Sequence, residues 1–154
     1  MITEELSRLF KEYSGEWPVS AEPLPGSGSG RSYYRLQGVG VSLLGAFNED
    51  IAENRAFFAF TRHFLKNQLP VPELFTISSD QRMYLQEDLG DMTLFRLLGL
   101  TSGRDGYPSA DVSALYRKAI FWLTRFQFVA GRDLDYSVCY PRQHFDRQSV
   151  MWDL

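Results

Sequence analysis

The order in which strand patterns and helix patterns follow one another constrains the fold of this chain more than any other feature. Three β-prone runs precede a long amphipathic helix, two more runs follow it, and only helical patterns come after Gly90. The β-prone runs lie at residues 17–24, 32–36, 41–47, 73–77 and 83–87. This order predicts an α+β fold, in which one helix is inserted after the third strand of a five-stranded antiparallel sheet. We assign the sheet and an extra N-terminal helix to residues 1–91, and a second, helical region to residues 92–154.

The composition of the 154 residues is that of one globular domain, because 44% are hydrophobic and 23% are charged. A net charge of −3 without a strongly basic stretch argues against a nucleic-acid-binding surface. The single cysteine, Cys139, cannot form an internal disulfide, which favours a reducing compartment. No signal-peptide pattern is present, and no apolar run approaches the roughly 18–20 residues of a membrane span. We therefore expect a cytoplasmic protein that binds neither nucleic acid nor membranes.

A glycine-rich segment lies between the first two β-prone runs and consists of Gly26, Ser27, Gly28, Ser29 and Gly30. Glycine lets backbone N–H groups approach phosphate oxygens closely. Dinucleotide-binding and Walker loops lead into a helix, whereas a strand that starts at Ser32 follows this segment, and no GK[ST] sequence is present. The segment therefore predicts a hairpin flap over phosphates, of the kind found in protein kinases. A flexible hairpin without a ligand is the alternative.

The helix after the third run places a glutamate on an aromatic face. It spans about residues 49–67, with Asn48 or Asp50 as its cap, and at about 100° per residue Glu53 shares a face with Phe57, Phe60 and Phe64. A carboxylate on such a face needs a cationic partner or hydrogen bonds. One interpretation is the glutamate that holds a phosphate-binding cation in kinase-like lobes. The other is a partly solvated glutamate that the helix dipole stabilises.

The last β-prone run ends in an acidic stretch with a glycine, YLQEDLGD, at residues 84–91. With this stretch, residues 20–98 resemble the aminoglycoside phosphotransferase and choline kinase superfamily. The segments that carry the resemblance are SGRSYYRL, NEDIAENRAFFAF, LPVPEL and YLQEDLGDMTLF. They are most similar to the bacterial sugar-kinase branch, which includes kinases that act on the anomeric hydroxyl of amino sugars such as N-acetylmuramate.

The resemblance implies the nucleotide-binding N-lobe of an ATP-dependent small-molecule kinase. Adenine would bind backbone groups near Gln86–Leu89, which we call the hinge segment, and the glycine-rich flap would cover the phosphates. The residues implied for ATP binding are Gly26, Ser27, Gly28, Ser29, Gly30, Arg31, Ser32, Arg35, Glu53, Gln86, Glu87, Asp88 and Leu89. Magnesium would be bound by a C-lobe of which residues 92–154 hold only the first helices.

The first departure from the family pattern is the missing strand lysine. A kinase lobe carries a lysine on its third strand, but residues 41–48 hold none, and all three lysines of the chain lie in helical patterns. Arg35 on the neighbouring strand is our candidate substitute, as a phosphate ligand or as the partner of Glu53, because a guanidinium suits both phosphate and carboxylate. An exposed strand residue without such a role is the alternative.

The second departure is the missing catalytic motif. The family places its catalytic aspartate and a magnesium ligand in an H-x-D-x-x-x-x-N loop. Here His144-Phe145-Asp146 has Met151 where the asparagine belongs, and Asp146 fits a helix cap better. Asp133 and Asp135 stand in a loop with nothing near them to complete a metal site. We therefore expect no catalytic or metal-binding residue in this chain, and no activity from it alone.

Two other functions stay open. A non-catalytic kinase-like module that binds a partner or senses a nucleotide would also lack the strand lysine. A kinase for an aminoglycoside, choline or a related acceptor is equally compatible with these residues, because in this superfamily the acceptor pocket belongs to the C-lobe. Without that lobe, the surface that faces it would be exposed, and self-association through it is expected.

Overall fold

The computed structural model describes residues 1–26, 30–101, 110–144 and 147–152. Its helices are α1 (Ile2–Ser14), α2 (Ile51–Lys66), α3 (Leu94–Thr101), α4 (Ala110–Thr124) and α5 (Arg147–Trp152). Its strands are β1 (Ser20–Pro23), β2 (Ser32–Gln37), β3 (Ser42–Phe47), β4 (Leu74–Ile77) and β5 (Met83–Glu87). A π-helical segment, Arg125–Ala130, continues α4, and a short 3-10 helix spans Tyr136–Val138.

All five strands form one antiparallel sheet in the order β1-β2-β3-β5-β4. The helix α2 connects β3 to β4, so that β5 lies beside β3 in the interior of the sheet. The predicted α+β architecture is therefore confirmed, with its five antiparallel strands and the helix inserted after the third.

One face of the sheet packs against α1. Successive side chains of a strand point to opposite faces, and the inward residues of this face are apolar. The buried cluster comprises Leu6 and Phe10 of α1 with Leu36, Leu43, Met83 and Leu85 of the sheet. At Gly45 a Cβ atom would lie 2.8 Å from Leu36 Cδ1 and 3.0 Å from Leu6 Cδ2, so a larger residue there would push α1 away from the sheet.

The opposite face of the sheet packs against α2, and we call it the α2 face. Phe58 is buried there against Ala46 of β3 and Tyr84 of β5. Asp50 caps α2, because its Oδ1 accepts a hydrogen bond of 3.1 Å from the backbone N–H of Glu53. Of the two predicted caps, Asn48 is thus free for another role.

Several apolar side chains of the helical region after the sheet are exposed. Phe95, Ile120, Leu123 and Phe128 are all more than half exposed. An apolar groove of about 480 Å³ lies between α3 and α4 and is lined mainly by Pro70, Met92, Leu94, Leu97, Leu115 and Trp122. We call it the α3–α4 groove.

Among the described residues, no helix is both long and apolar enough to cross a membrane.

Candidate functional site

Arg31 and Glu53 form an ion pair on the α2 face of the sheet. Arg31 Nη2 lies 2.9 Å from Glu53 Oε1, and the arginine side chain is only 11% exposed. Its guanidinium carbon lies 5.1 Å from the ring centre of Phe57 and 6.0 Å from that of Tyr84. A carboxylate and two aromatic rings therefore hold the cation in one position, directly after the last glycine of the glycine-rich segment.

Two asparagines support this ion pair. The Nδ2 of Asn48, at the end of β3, donates to Glu53 Oε2 at 2.9 Å. Asn54 is fully buried in α2, and its Oδ1 accepts from Arg31 Nη2 at 3.4 Å. The Nδ2 of Asn54 donates to the backbone carbonyls of Asn48, at 3.2 Å, and of Gln81, at 2.8 Å. These bonds connect the start of β2 to α2 and to the turn before β5.

The expected pairing of Arg35 with Glu53 is wrong. Arg35 lies four residues beyond Arg31, about 13 Å along an extended chain, and there it meets two other carboxylates. Its Nε lies 2.7 Å from Asp88 Oδ2, and its Nη2 lies 2.8 Å from Asp91 Oδ1. The second bonds to these carboxylates, from Nη2 and Nη1, measure 3.0 and 3.1 Å. Arg31, which directly follows the glycine-rich segment, takes the position beside Glu53 instead.

The bonds around Arg35 favour the ionised form of its two aspartates. Burial by itself would raise the pKa of Asp88, but hydrogen bonds from Arg35, from Ser42 Oγ at 2.6 Å and from the N–H of Gly90 at 3.0 Å lower it. Hydrogen bonds from Arg35 also lower the pKa of Asp91, and the two carboxylates raise the pKa of Arg35. The group Arg35, Ser42, Asp88 and Asp91, which we call the Arg35 cluster, thus ties β2 and β3 to the hinge segment.

In the hinge segment, the side chains of Gln86 and Asp88 are largely buried, and those of Glu87 and Leu89 are exposed. Gln86 is 8% exposed, and its Oε1 has no hydrogen-bond partner among the described residues. Glu87 pairs with Glu73, since its N–H donates to the Glu73 carbonyl at 2.9 Å and its Oε2 accepts from the Glu73 N–H at 3.2 Å. Leu89 is 66% exposed, and within the described part of the chain no hydrogen bond engages its backbone.

The predicted flap is described only at its two ends. Around Gly26 and Gly30 there is open space where a Cβ atom would lie, and Ser32 starts β2 opposite Phe47. Ser27, Gly28 and Ser29 lie outside the described residues. The structure therefore brings the last glycine of the glycine-rich segment together with Arg31 and Glu53. It places the Arg35 cluster with the hinge segment at the other end of β2.

One of the aspartates that we assigned to structural roles has a defined contact. Asp135 caps the short 3-10 helix, because its Oδ1 accepts from the N–H of Ser137 at 2.9 Å. Asp146 lies outside the described residues. In the ranges that the structure describes, no three His, Cys, Asp or Glu side chains are grouped as metal ligands.

The sequence reasoning missed the two asparagines and Ser42. Asparagine is a poor residue for the interior of a helix, so Asn54 next to Glu53 was the available signal for a buried polar contact.

No protein-family model and no curated protein matches this chain.

Proposed function

We propose that residues 1–91 form the nucleotide-binding lobe of an ATP-dependent small-molecule phosphotransferase. The observation that carries this proposal is the 2.9 Å ion pair between Arg31 and Glu53 of the inserted helix. Kinase-like lobes need a cation at the phosphates that a helix glutamate holds in place. Arg31 replaces the missing strand lysine in this role, and it enters the site from the position directly before β2 rather than from β3.

Arginine is suited to this position. Its charge is permanent, and its planar group can contact a carboxylate and a phosphate through different N–H donors. Gly30 directly precedes Arg31, so a phosphate bound by backbone N–H groups of the glycine-rich segment would lie within reach of the guanidinium. The neighbouring rings of Phe57 and Tyr84 exclude water from one side of it, which strengthens its electrostatic interactions.

The hinge segment supplies the proposed adenine site. The exposed Leu89 offers a backbone N–H and a carbonyl that no described residue engages. The Arg35 cluster holds the adjoining Asp88 in place, so these backbone groups are presented without a large ordering cost. We therefore reassign Arg35 from phosphate binding to support of the hinge segment.

The proposal divides the reaction between two lobes. The residues described above bind and orient ATP, whereas the catalytic aspartate and the magnesium ligands are assigned to a C-lobe. An amino sugar is the proposed acceptor, and this choice rests on the sequence resemblance alone. An aminoglycoside or choline-type acceptor is compatible with the same nucleotide site.

Calorimetric titration of the 154-residue chain with Mg·ATP tests the proposal. We expect binding by the unmodified chain and a loss of affinity of about tenfold or more in Arg31→Met, because a charge-assisted bond to phosphate contributes on the order of 1.5–3 kcal/mol. Arg35→Met is the matched control and should keep a larger share of the affinity. Equal losses in both variants, or none in either, would contradict the assignment of Arg31.

The α3–α4 groove favours a second candidate function. About 480 Å³ of apolar groove next to the lobe could receive a partner protein, as in a kinase-like module that has no catalytic role. A folded chain that binds no Mg·ATP would favour this function over the first.

A further inference from the structure

Asn48 uses both ends of its side-chain amide. It lies between β3 and α2 and is 5% exposed. Its Oδ1 accepts from the backbone N–H of Asp50 at 3.1 Å, and its Nδ2 donates to Glu53 Oε2 at 2.9 Å. If the amide were turned over, its oxygen would face the Glu53 carboxylate and its N–H groups would face the N–H of Asp50. Only one orientation satisfies both contacts, so the donor end of the amide is fixed toward Glu53.

The carboxylate of Glu53 divides its two oxygens between Asn48 and Arg31. Oε2 accepts from Asn48, and Oε1 lies 2.9 Å from Arg31 Nη2. Glu53 is itself 37% exposed, and a glutamate side chain held by one contact keeps much of its rotamer freedom. Solvent weakens an ion pair with such an exposed partner further. The bond from Asn48 therefore selects the carboxylate orientation in which Oε1 meets the guanidinium.

The neutral charge of the amide is part of this arrangement. Among the described residues, Glu53 forms its ion pair with Arg31 alone. The other titratable groups around it are Asp50, which caps the same helix, and the hydroxyls of Tyr84 and Tyr140. A cation at position 48 would compete with Arg31 for the carboxylate, and an anion there would repel the carboxylate. An amide donates a hydrogen bond without doing either.

We infer that Asn48 is a positioning residue of the nucleotide site: it orients Glu53, and through Glu53 it holds Arg31 where the phosphates of ATP bind. This inference rests on the proposed nucleotide-binding function. It extends the site to a buried side chain that acts only through its neighbour, and it gives the neutral amide a role that a carboxyl group can fill only while it is protonated.

The test is Asn48→Asp, which keeps the shape of the side chain and places a carboxyl group against Glu53 Oε2. Two carboxyl groups in contact share one proton, and the pKa of one of them is raised. In acid the protonated group donates to Glu53 in place of the amide, whereas at higher pH the proton is lost and the two charges repel. The Mg·ATP affinity of the unmodified chain, divided by that of the variant, should therefore grow by on the order of tenfold from about pH 5 to about pH 8.

Calorimetry over this pH range gives the ratio, in which the effect of pH on the nucleotide itself cancels. Gln127→Glu is the control, because it makes the same change from amide to carboxyl at an exposed position of the π-helical segment. Its ratio should not change with pH. Circular dichroism at each pH shows whether the variants are folded.

Asn48→Ala supplies a second measurement, which adds no charge. It removes the bond to Glu53, so Mg·ATP should bind about threefold more weakly or worse. If Asn48 acts through Glu53 and Arg31, this loss should disappear when Arg31→Met is also present, because the cation that Asn48 positions is then gone. A general disturbance of the fold would instead lower the affinity in both backgrounds.

Two results would overturn the inference while leaving the proposed function intact. One is a ratio for Asn48→Asp that stays constant with pH. The other is a loss of affinity in Asn48→Ala that persists at full size in the Arg31→Met background. If the unmodified chain binds no Mg·ATP at any pH tested, the proposed function is contradicted, and the inference about Asn48 is contradicted with it.

Discussion

Arg31 Nη2 lies 2.9 Å from Glu53 Oε1, and the arginine that forms this pair directly follows the glycine-rich segment. The pair joins Arg31, the residue directly before β2, to the inserted helix α2. It lies on the face of the sheet that also carries Tyr84 and Gln86. The pair combines a cation, a carboxylate that holds the cation in position and an adjacent glycine-rich backbone. The cation and the backbone N–H groups can together bind phosphate.

The support of this pair by Asn54 predicts a large effect on stability. Asn54→Ala should lower the free energy of unfolding by about 2 kcal/mol or more, because two backbone carbonyls and Arg31 lose a partner, and the higher helix propensity of alanine offsets only a small part. Urea unfolding followed by circular dichroism measures the change. Arg62→Ala, at an exposed position of the same helix, should change stability by less than about 0.5 kcal/mol. Equal effects of the two substitutions would contradict the role of Asn54.

The Arg35 cluster predicts a loss of stability in acid. The pKa values of Asp88 and Asp91 are lowered in the folded chain, so the folded state binds fewer protons there than the unfolded state. Their contribution is therefore complete above the ordinary aspartate pKa of about 3.9 and is lost as the pH falls through the lowered values.

Urea midpoints measured between pH 2 and pH 7 test this dependence. In Arg35→Met the two aspartates should titrate closer to their ordinary value, and the fall in stability below about pH 4 should be shallower than in the unmodified chain. Arg62→Met is the control, since this exposed arginine lies outside the cluster. An unchanged acid profile in Arg35→Met would show that the cluster does not stabilise the fold.

A hydrogen bond from Tyr140 Oη to Asp50 predicts a shift in titration. This bond, followed by the one from the backbone N–H of Glu53, lowers the pKa of Asp50, which caps α2. In Tyr140→Phe the pKa of Asp50 should rise toward its ordinary value, and the midpoint of thermal unfolding should fall because the cap loses a partner.

Carboxyl chemical shifts recorded by NMR over the acid range give the pKa of Asp50 directly. Tyr116→Phe, at an exposed tyrosine of α4, serves as the control and should leave it unchanged. An Asp50 that titrates identically in Tyr140→Phe would mean that the bond is not formed in solution.

The α3–α4 groove predicts self-association at high protein concentration. Leu115 lines this groove, whereas its neighbour Tyr116 does not. Leu115→Lys should weaken association, because it places a charge in the apolar groove, and Tyr116→Lys should leave it nearly unchanged. Sedimentation velocity over a range of concentrations compares them. Association that is unaffected by Leu115→Lys would exclude the groove as the contact surface.

Much of the fold was accessible from the sequence because local patterns determine it. The alternation of residues in β2 and β3 and the helical spacing in α2 indicate which face each residue presents, and α1 ends at a glycine, Gly15, which takes the left-handed conformation (φ 88). Side-chain pairing was less accessible. Arg35 binds carboxylates 53 and 56 residues away in the sequence, and no local pattern distinguishes them from Glu53.

The choice between Arg31 and Arg35 shows why the site was harder to predict than the sheet. Both arginines lie close to the glycine-rich segment in sequence, and both have the chemistry to bind phosphate. Their partners differ only because the sheet brings Asp88 to one end of β2 and α2 brings Glu53 to the other. That difference depends on the order of the strands in space and therefore requires the tertiary structure.

The most direct test of the central claim is to remove the phosphates from the ligand. In the proposed site, Arg31 binds the phosphates of ATP and the hinge segment binds the base. Calorimetry should therefore show that Arg31→Met weakens Mg·ATP by about tenfold or more while the affinity for adenosine stays within about twofold. If Arg31→Met weakens ATP and adenosine equally, or weakens neither, Arg31 is not the phosphate-binding cation, and the central claim fails.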